Sequence, residues 1–480
     1  MNGHATMGDE PSIALVVLDT LRADSFDEHF DWLPGVQFAN AWSTSHWTAP
    51  AHASLFTGRY ASEAGVTIKS QDFDRDTTRL PELLRDRGYR TRAFSCNVNI
   101  SEQLGWHHGF DEFDGGWRLS GLGEDVFDWD EFIAEHQADG PKRYLRALWR
   151  CVDDDCDTTQ SLKQGALMKL RDMGLKGRHP DDGAAEFLEY VRDGSWARDG
   201  EFLFANLMEA HLPYDPPDEY KTYPDEESPH FDSVKATLGE PSADPDRIRT
   251  AYDDAVRYLS DIYRDIYAEL ATEFDYVVTV ADHGEALGEY GAWQHGGGLH
   301  PPVTRVPLVV SAPGPNADDR TPNADGAERP TRDALVNLLD VYATVLDLAG
   351  IESAHRRGES FRPLCSSDPT DTEPHSSDTV ITEPRSSALL EFHGISKRRA
   401  LALEEDGYDI GPVDRERHGV ATADCYYFEG LSGTELLGDC DPATLESELG
   451  RLVDDLERRE GLSEADMDGL ESQLEELGYL

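Results

Sequence analysis

Ile13-Ala14-Leu15-Val16-Val17-Leu18-Asp19 places six apolar residues in a row and closes them with a carboxylate. The run is too short to cross a membrane and lacks polar alternation. It therefore reads as a strand buried on both faces, of the kind that builds a parallel sheet. Residues 202–207, 276–281 and 306–310 are apolar runs of the same kind. Stretches with helical spacing lie between and after them. Residues 80–87 stop at Gly88, which suits a helix C-terminus. Residues 247–271 and 332–348 are longer, and the second stretch runs to Gly350. Strands alternating with helices predict an α/β fold, with a large, mostly parallel central sheet flanked by helices. The main domain is expected over residues 12–350, broken at about 115–200 by a polar, weakly periodic insertion. A smaller C-terminal α+β subdomain is expected over 351–480, with a strand at 422–429 and an acidic helical end at 445–480.

The 480 residues carry 43 Lys+Arg against 95 Asp+Glu, a formal net charge of −52, with 39% hydrophobic residues. That apolar share is enough for a sizeable core and excludes a disordered acidic tail. Phosphates would be repelled, so nucleic acid and anionic membranes are not expected partners. No apolar run approaches the length of a membrane-spanning helix, so no integral membrane segment is expected. Residues 1–12 lack the basic and apolar regions of a signal peptide, which points to the cytoplasm. Only eight of the cations are lysine, and the acid is spread over the whole chain. In molar salt the screening length falls to about 3 Å, which quenches such self-repulsion. The composition therefore predicts a halophilic protein of a high-salt cytoplasm. The cysteines, Cys96, Cys151, Cys156, Cys365, Cys425 and Cys440, form no C-x-x-C pair and are expected to be mostly reduced thiols.

Chemistry-bearing residues follow the apolar runs directly. Asp19 follows the first, Glu209 and His211 follow the second, and Asp282-His283 follow the third. In open α/β sheets, ligands bind beyond the carboxyl ends of the strands. Carboxylate and imidazole groups brought to one edge suit zinc, manganese or a similar divalent ion. A second feature is the peptide from Trp47 to Gly58. It reads as a short helix with Thr48 as its N-cap, Pro50 in the first turn and Gly58 as the stop. A helix N-terminus attracts an anion, and a hydroxyl there beside a metal can serve as a nucleophile.

Five stretches resemble the sulfatase branch of the alkaline-phosphatase superfamily, in a form of haloarchaeal type. They are residues 16–24 with Asp19, 48–60 with Thr48-Ala49-Pro50-Ala51-His52, 80–113, 281–289 with Asp282-His283-Gly284-Glu285, and 305–350. The resemblance implies a divalent metal (calcium, zinc or manganese) held by Asp19, Asp282, His283 and the group at position 48, which also supplies the attacking oxygen. That group is Thr48, where sulfatases carry a formylglycine made from Cys or Ser. His52 replaces the Arg of the signature, Thr20 replaces a second acidic residue, and residues 95–98 lack the usual Lys and His.

The resemblance implies a hydrolase of sulfate or phosphate esters, with His211 and His295 as further catalytic groups. The substrate class is a small anionic ester: a sulfated or phosphorylated sugar, a lipid headgroup or an aryl ester. Two alternatives stand beside this reading. Phosphoethanolamine-type phosphotransferases and phosphodiesterases use a Thr nucleophile with zinc, and in the transferases a His follows the late His by about a dozen residues, as His295 follows His283. The other alternative is a catalytically silent homologue that binds a polyanion.

Overall fold

The structure is a computed structural model. It describes residues 10–70, 73, 77–116, 119, 181–197, 199–224, 228–312, 329–352, 357–365 and 385–459. Most of the insertion read at 115–200 lies outside the described residues, as do residues 460–480 of the acidic end.

Six of the strands appear in chain order as β1 (Ile13–Leu18), β2 (Val36–Trp42), β3 (Arg90–Ser95), β4 (Glu112–Gly115), β5 (Glu201–Leu207) and β6 (Tyr276–Val280). The two-residue strands β7 (Ala286–Leu287) and β8 (Trp293–Gln294) pair as a small hairpin beyond the main sheet. They are followed by β9 (Leu308–Ser311) and β10 (Thr331–Asn337). The eight-stranded sheet has the order β10-β2-β9-β6-β1-β5-β3-β4. Its centre is β1, parallel to β5 on one side and to β6 on the other, with Leu18 opposite Leu207 and Val17 opposite Val280. Every residue of β1 and β5 is buried, which explains why these runs lack polar alternation. The register is the functional point: three adjacent strands end level, so the residues after them share one sheet edge.

Three expectations needed revision. The run at 306–310 is not parallel: β9 lies antiparallel to both β6 and β2. No crossover helix spans the way back from β6, only the four-residue helix Pro301–Thr304, so the chain returns in the opposite direction. Residues 332–348 are not one helix. They form β10, then the helix Leu338–Leu348, and the break is a capping box in which the Asn337 side chain accepts from Leu339 N and the Asp340 carboxylate accepts from Asn337 N. The stretch 422–429 is not one strand either. A turn separates β12 (Arg417–Ala421) from β13 (Tyr426–Glu429).

Those strands belong to a four-stranded antiparallel sheet, β11-β12-β13-β14, completed by β11 (Ala388–Phe392) and β14 (Thr434–Leu437). Its first strand clasps the main body. Glu391 N donates to Thr44 O at 2.9 Å, Ser45 Oγ donates to Glu391 O at 3.0 Å, and Glu391 Oε2 accepts from Ser62 N at 3.2 Å. Cys425 and Cys440 are joined in a disulfide, with Cα atoms 6.3 Å apart, so the expectation of reduced thiols fails for this pair. The turn after β12 and the residues leading into the helix Pro442–Asp454 bring them together, a proximity that spacing alone does not show. Among the described residues, Cys96 is buried and Cys365 half-buried. Among the described residues, no helix is long and apolar enough to cross a membrane.

Candidate active site

Asp19, one residue beyond β1, and Asp282-His283, just beyond β6, meet at the sheet edge, all fully buried. One ligand atom from each of the three lies within 4.8 Å of the others. His283 Nδ1 pairs with the carbonyl of Gly284 at 3.0 Å, which makes Nδ1 the protonated nitrogen and leaves the lone pair of Nε2 facing the carboxylates. Nε2 is 3.5 Å from Asp282 Oδ2 and 4.0 Å from Asp19 Oδ1. Those two oxygens are buried and have no hydrogen-bond partner. Such orphaned acceptors beside an imidazole lone pair fit a divalent cation by chemistry and by count. In the chain alone, burial pushes Asp19 up to about 7, with Asp282 adding to the rise, and burial likewise pushes Asp282 up to about 7. A bound cation would reverse that tendency.

Each carboxylate has one oxygen anchored and one free. Asp19 Oδ2 accepts from Asn97 Nδ2 at 2.7 Å and from Asn206 Nδ2 at 3.2 Å. Asp282 Oδ1 accepts from His283 N at 2.9 Å and Thr20 N at 3.4 Å. Thr20 holds a left-handed backbone, φ 58°, which is strained for a β-branched residue. Its own carbonyl accepts from the Tyr252 hydroxyl at 3.0 Å.

Thr48 begins the helix Thr48–Thr57, which ends at Gly58 in the left-handed conformation, as expected. A Cβ on Gly58 would come within 2.5 Å of the Tyr342 ring. The N-cap is Trp47, without a side-chain cap bond, so Thr48 is the first helical residue and its hydroxyl does not cap. That hydroxyl lies 3.3 Å from His283 Nε2. The helix N-terminus thus places the Thr48 hydroxyl at the carboxylate–imidazole cluster.

Two further imidazoles adjoin it. The His295 ring lies 4.5 Å from that of His283 and 5.5 Å from that of His211. His295 Nδ1 is 3.0 Å from Glu285 Oε1, and Glu285 Oε2 accepts from the Tyr214 hydroxyl at 2.8 Å. Burial pushes the Glu285 carboxyl up to about 8 and holds His295 well below its usual range. His46 Nδ1 pairs with the His295 carbonyl at 2.7 Å, which ties it to the site although sequence spacing gave it no role.

His52 is fully buried. It is therefore not the solvated helix residue that its position in a short helix would allow. Its Nδ1 pairs with Thr48 O at 2.9 Å, its Nε2 faces Asn206 Nδ2 at 3.2 Å, and burial pushes it down to about 3. Arg305 is exposed and donates to Ala39 O at 2.6 Å.

Sequence reasoning gave no individual role to Asn97, Asn206, Glu285 or Tyr214, although Glu285 stands in the 281–289 motif. Asn206 had a signal: it is the polar residue inside an apolar run, on a buried strand opposite Val17. Asn97 stands two residues beyond β3, at the same sheet edge.

Comparison with known proteins places the chain in a family. The sulfatase family model matches residues 28–351. The uncharacterized sulfatase YidJ of Escherichia coli is 24% identical over 353 residues, covering 66% of this chain and 61% of YidJ, so the chain spans about three-fifths of that relative. N-acetylglucosamine-6-O-sulfatase of Bacteroides thetaiotaomicron is 31% identical over 74 residues, 15% of this chain and 13% of that enzyme. Among solved structures, the phosphonate monoester hydrolase of Silicibacter pomeroyi has the same fold, with a TM-score of 0.58, 18% identity, and coverage of 93% of this chain and 94% of that one. With the matched model spanning two-thirds of its length, the chain belongs to the sulfatase family.

Proposed function

We propose that this protein is a metal-dependent hydrolase of small sulfate or phosphate esters, with Thr48 as its nucleophile. The observation that carries this reading is the convergence of two orphaned buried carboxylate oxygens, an imidazole lone pair and the Thr48 hydroxyl at a helix N-terminus. Asp19, Asp282 and His283, with Thr48, would hold a calcium, zinc or manganese ion. Bound there, the ion would lower the pKa of the Thr48 hydroxyl and polarise the ester.

The chain's own groups account for the remaining steps. Asn97 and Asn206 fix Asp19 so that only Oδ1 is available. The first N–H groups of the Thr48–Thr57 helix meet the equatorial oxygens of the ester. Thr48 Oγ1, having released its proton to water, attacks in line. The bond to the leaving oxygen breaks, and that oxygen takes a proton from His295 or His211. Water, or an acceptor alcohol, then frees Thr48. A sulfated or phosphorylated sugar, a lipid headgroup or an aryl ester would fit this chemistry. Residues 12–350 form the catalytic unit in this reading and 351–480 the smaller subdomain. The net charge of −52 marks a halophilic protein, and salt screening lets an anionic ester approach it.

The test is turnover of an aryl sulfate, an aryl phosphate and an aryl phosphodiester in molar salt with each metal. Thr48→Ala is expected to lose at least about 1,000-fold in kcat, the scale of a lost nucleophile. Full activity in that variant would refute Thr48 as the nucleophile. Stoichiometric metal with alcohol-dependent turnover would favour a transferase, and absence of metal would favour a polyanion-binding homologue.

A further inference from the structure

Glu285 is absent from the catalytic roles given above, yet it ties together the two loops that carry the proton-donating imidazoles. Its side chain is fully buried, with one oxygen 3.0 Å from His295 Nδ1 and the other accepting from the Tyr214 hydroxyl at 2.8 Å. Tyr214 ends the segment His211-Leu212-Pro213-Tyr214, where its N–H donates to the His211 carbonyl at 3.2 Å. Both loops reach Glu285 under backbone constraint. Tyr214 (φ 50°) and Gln294 (φ 55°) are non-glycine residues in the left-handed region, held there only where the surroundings enforce it. The Glu285 carbonyl is itself pinned by Arg22 Nη1 at 2.9 Å. The carboxylate is thus a fixed brace between the two imidazole-bearing loops.

We propose that Glu285 is a positioning residue that holds His295 with one proton between Oε1 and Nδ1, so that Nε2 is the nitrogen that gives its proton to the leaving group. The ring cannot turn over without losing the Glu285 contact, and it lies tilted between the rings of His283 and His211, at 4.5 and 5.5 Å. In the step itself, the Thr48 Oγ1 bond to phosphorus or sulfur forms and the bond to the leaving oxygen breaks. The Nε2 proton of His295 moves to that oxygen, and the proton shared with Glu285 stays in place. The arrangement uses the logic by which an acidic residue orients a catalytic imidazole. It rests on the hydrolase reading above.

The experiment compares wild type, Glu285→Gln and Tyr214→Phe on an aryl ester series from 2,4-dinitrophenyl to phenyl, using whichever of sulfate or phosphate the wild type turns over. A misplaced proton donor penalises poor leaving groups selectively. Glu285→Gln is expected to lose about 100-fold in kcat on the phenyl ester and less than about threefold on the dinitrophenyl ester, within the range of acid–base catalysis. Tyr214→Phe is expected to follow the same trend with a smaller loss, and it serves if Glu285→Gln fails to fold. Equal loss across the series would overturn the proposal. An independent readout is the imidazole proton spectrum: the downfield Nδ1 proton of His295 present in wild type should vanish in Glu285→Gln. Identical spectra would also overturn the placement. If wild type turns over no ester of either class, the hydrolase reading fails while the spectra still judge the Glu285–His295 pair.

Discussion

Asp282→Asn removes one buried charge from the site while keeping the shape of the side chain. In the metal-free protein this change is expected to stabilise the fold at neutral pH. Asp19 and Asp282 are fully buried, each pushed from 3.8 up to about 7, chiefly by burial. The sign follows from which state holds the proton. Below pH 3.8 both states are protonated and the carboxyls make no difference. Between 3.8 and 7 the unfolded chain ionises while the folded chain keeps its protons, so stability falls as pH rises; above 7 the loss is complete. A rise of this size in one carboxyl corresponds to ~4 kcal/mol. Asp282 also raises Asp19, so the two effects are not additive, and neutralising one should recover on the order of 4 kcal/mol.

An asparagine at 282 still accepts from His283 N and Thr20 N through Oδ1. Its amide replaces the orphaned Oδ2, which lies 3.5 Å from both His283 Nε2 and His52 Nδ1. The assay is urea unfolding in molar salt with chelator, at pH 5 and pH 8, then with each divalent ion added back. Wild type should be weaker at pH 8 than at pH 5 and should recover with metal. The variant should be the more stable of the two without metal at pH 8 and respond little to it. If Asp282→Asn is no more stable than wild type in chelator at pH 8, or if metal stabilises both equally, the reasoning fails.

Three other outcomes can be checked directly. Asn206→Ala removes an anchor of Asp19 and is expected to weaken divalent-metal affinity by about 10- to 100-fold, measured by calorimetry, as loss of a supporting hydrogen bond does in other metal sites. Gly284→Ala would drive a Cβ into the Pro302 carbonyl, and thermal unfolding should show a clear loss of stability with cation binding impaired as well. Glu209 is buried, accepts from Ala184 N at 2.7 Å, and is raised well above its usual value by burial and by Asp181 and Asp182. Glu209→Gln should therefore gain stability relative to wild type as pH rises from 4.5 to 8, and a constant difference across that range would contradict it.

The central strands and the residues after them were legible because burial on both faces forces apolar runs, and because strand ends collect ligand groups. Asp19, Thr48, His211, Asp282, His283 and His295 do converge, although no spacing rule relates residues 19 and 283 until the β5-β1-β6 register is known. The direction of β9 was not legible, since an apolar run looks the same read either way. The β10-to-helix break was missed although Asn337 and Asp340 carry its signature. The contacts of Asn97 and Glu285 were not legible for another reason: their importance lies in which oxygen or nitrogen they hold, and neither motif nor composition carries such information. The Cys425–Cys440 pairing likewise depends on a chain reversal.

The clasp between Glu391 and the segment leading into Thr48 has a consequence for biogenesis. Thr44 and Ser45 find their hydrogen-bond partners on a strand made almost 350 residues after them. While the chain emerges from the ribosome, the central sheet can close once β10 is out, with Ser43 N bonded to Thr304 O and His46 Nδ1 to His295 O, yet the loop that delivers the nucleophile gains its last braces only when β11 arrives. Completion of the site is thereby tied in part to the C-terminal sheet, and a chain cut short after the helix Leu338–Leu348 would keep the Thr48–His283 contact while losing the braces that Glu391 gives to Thr44 and Ser45.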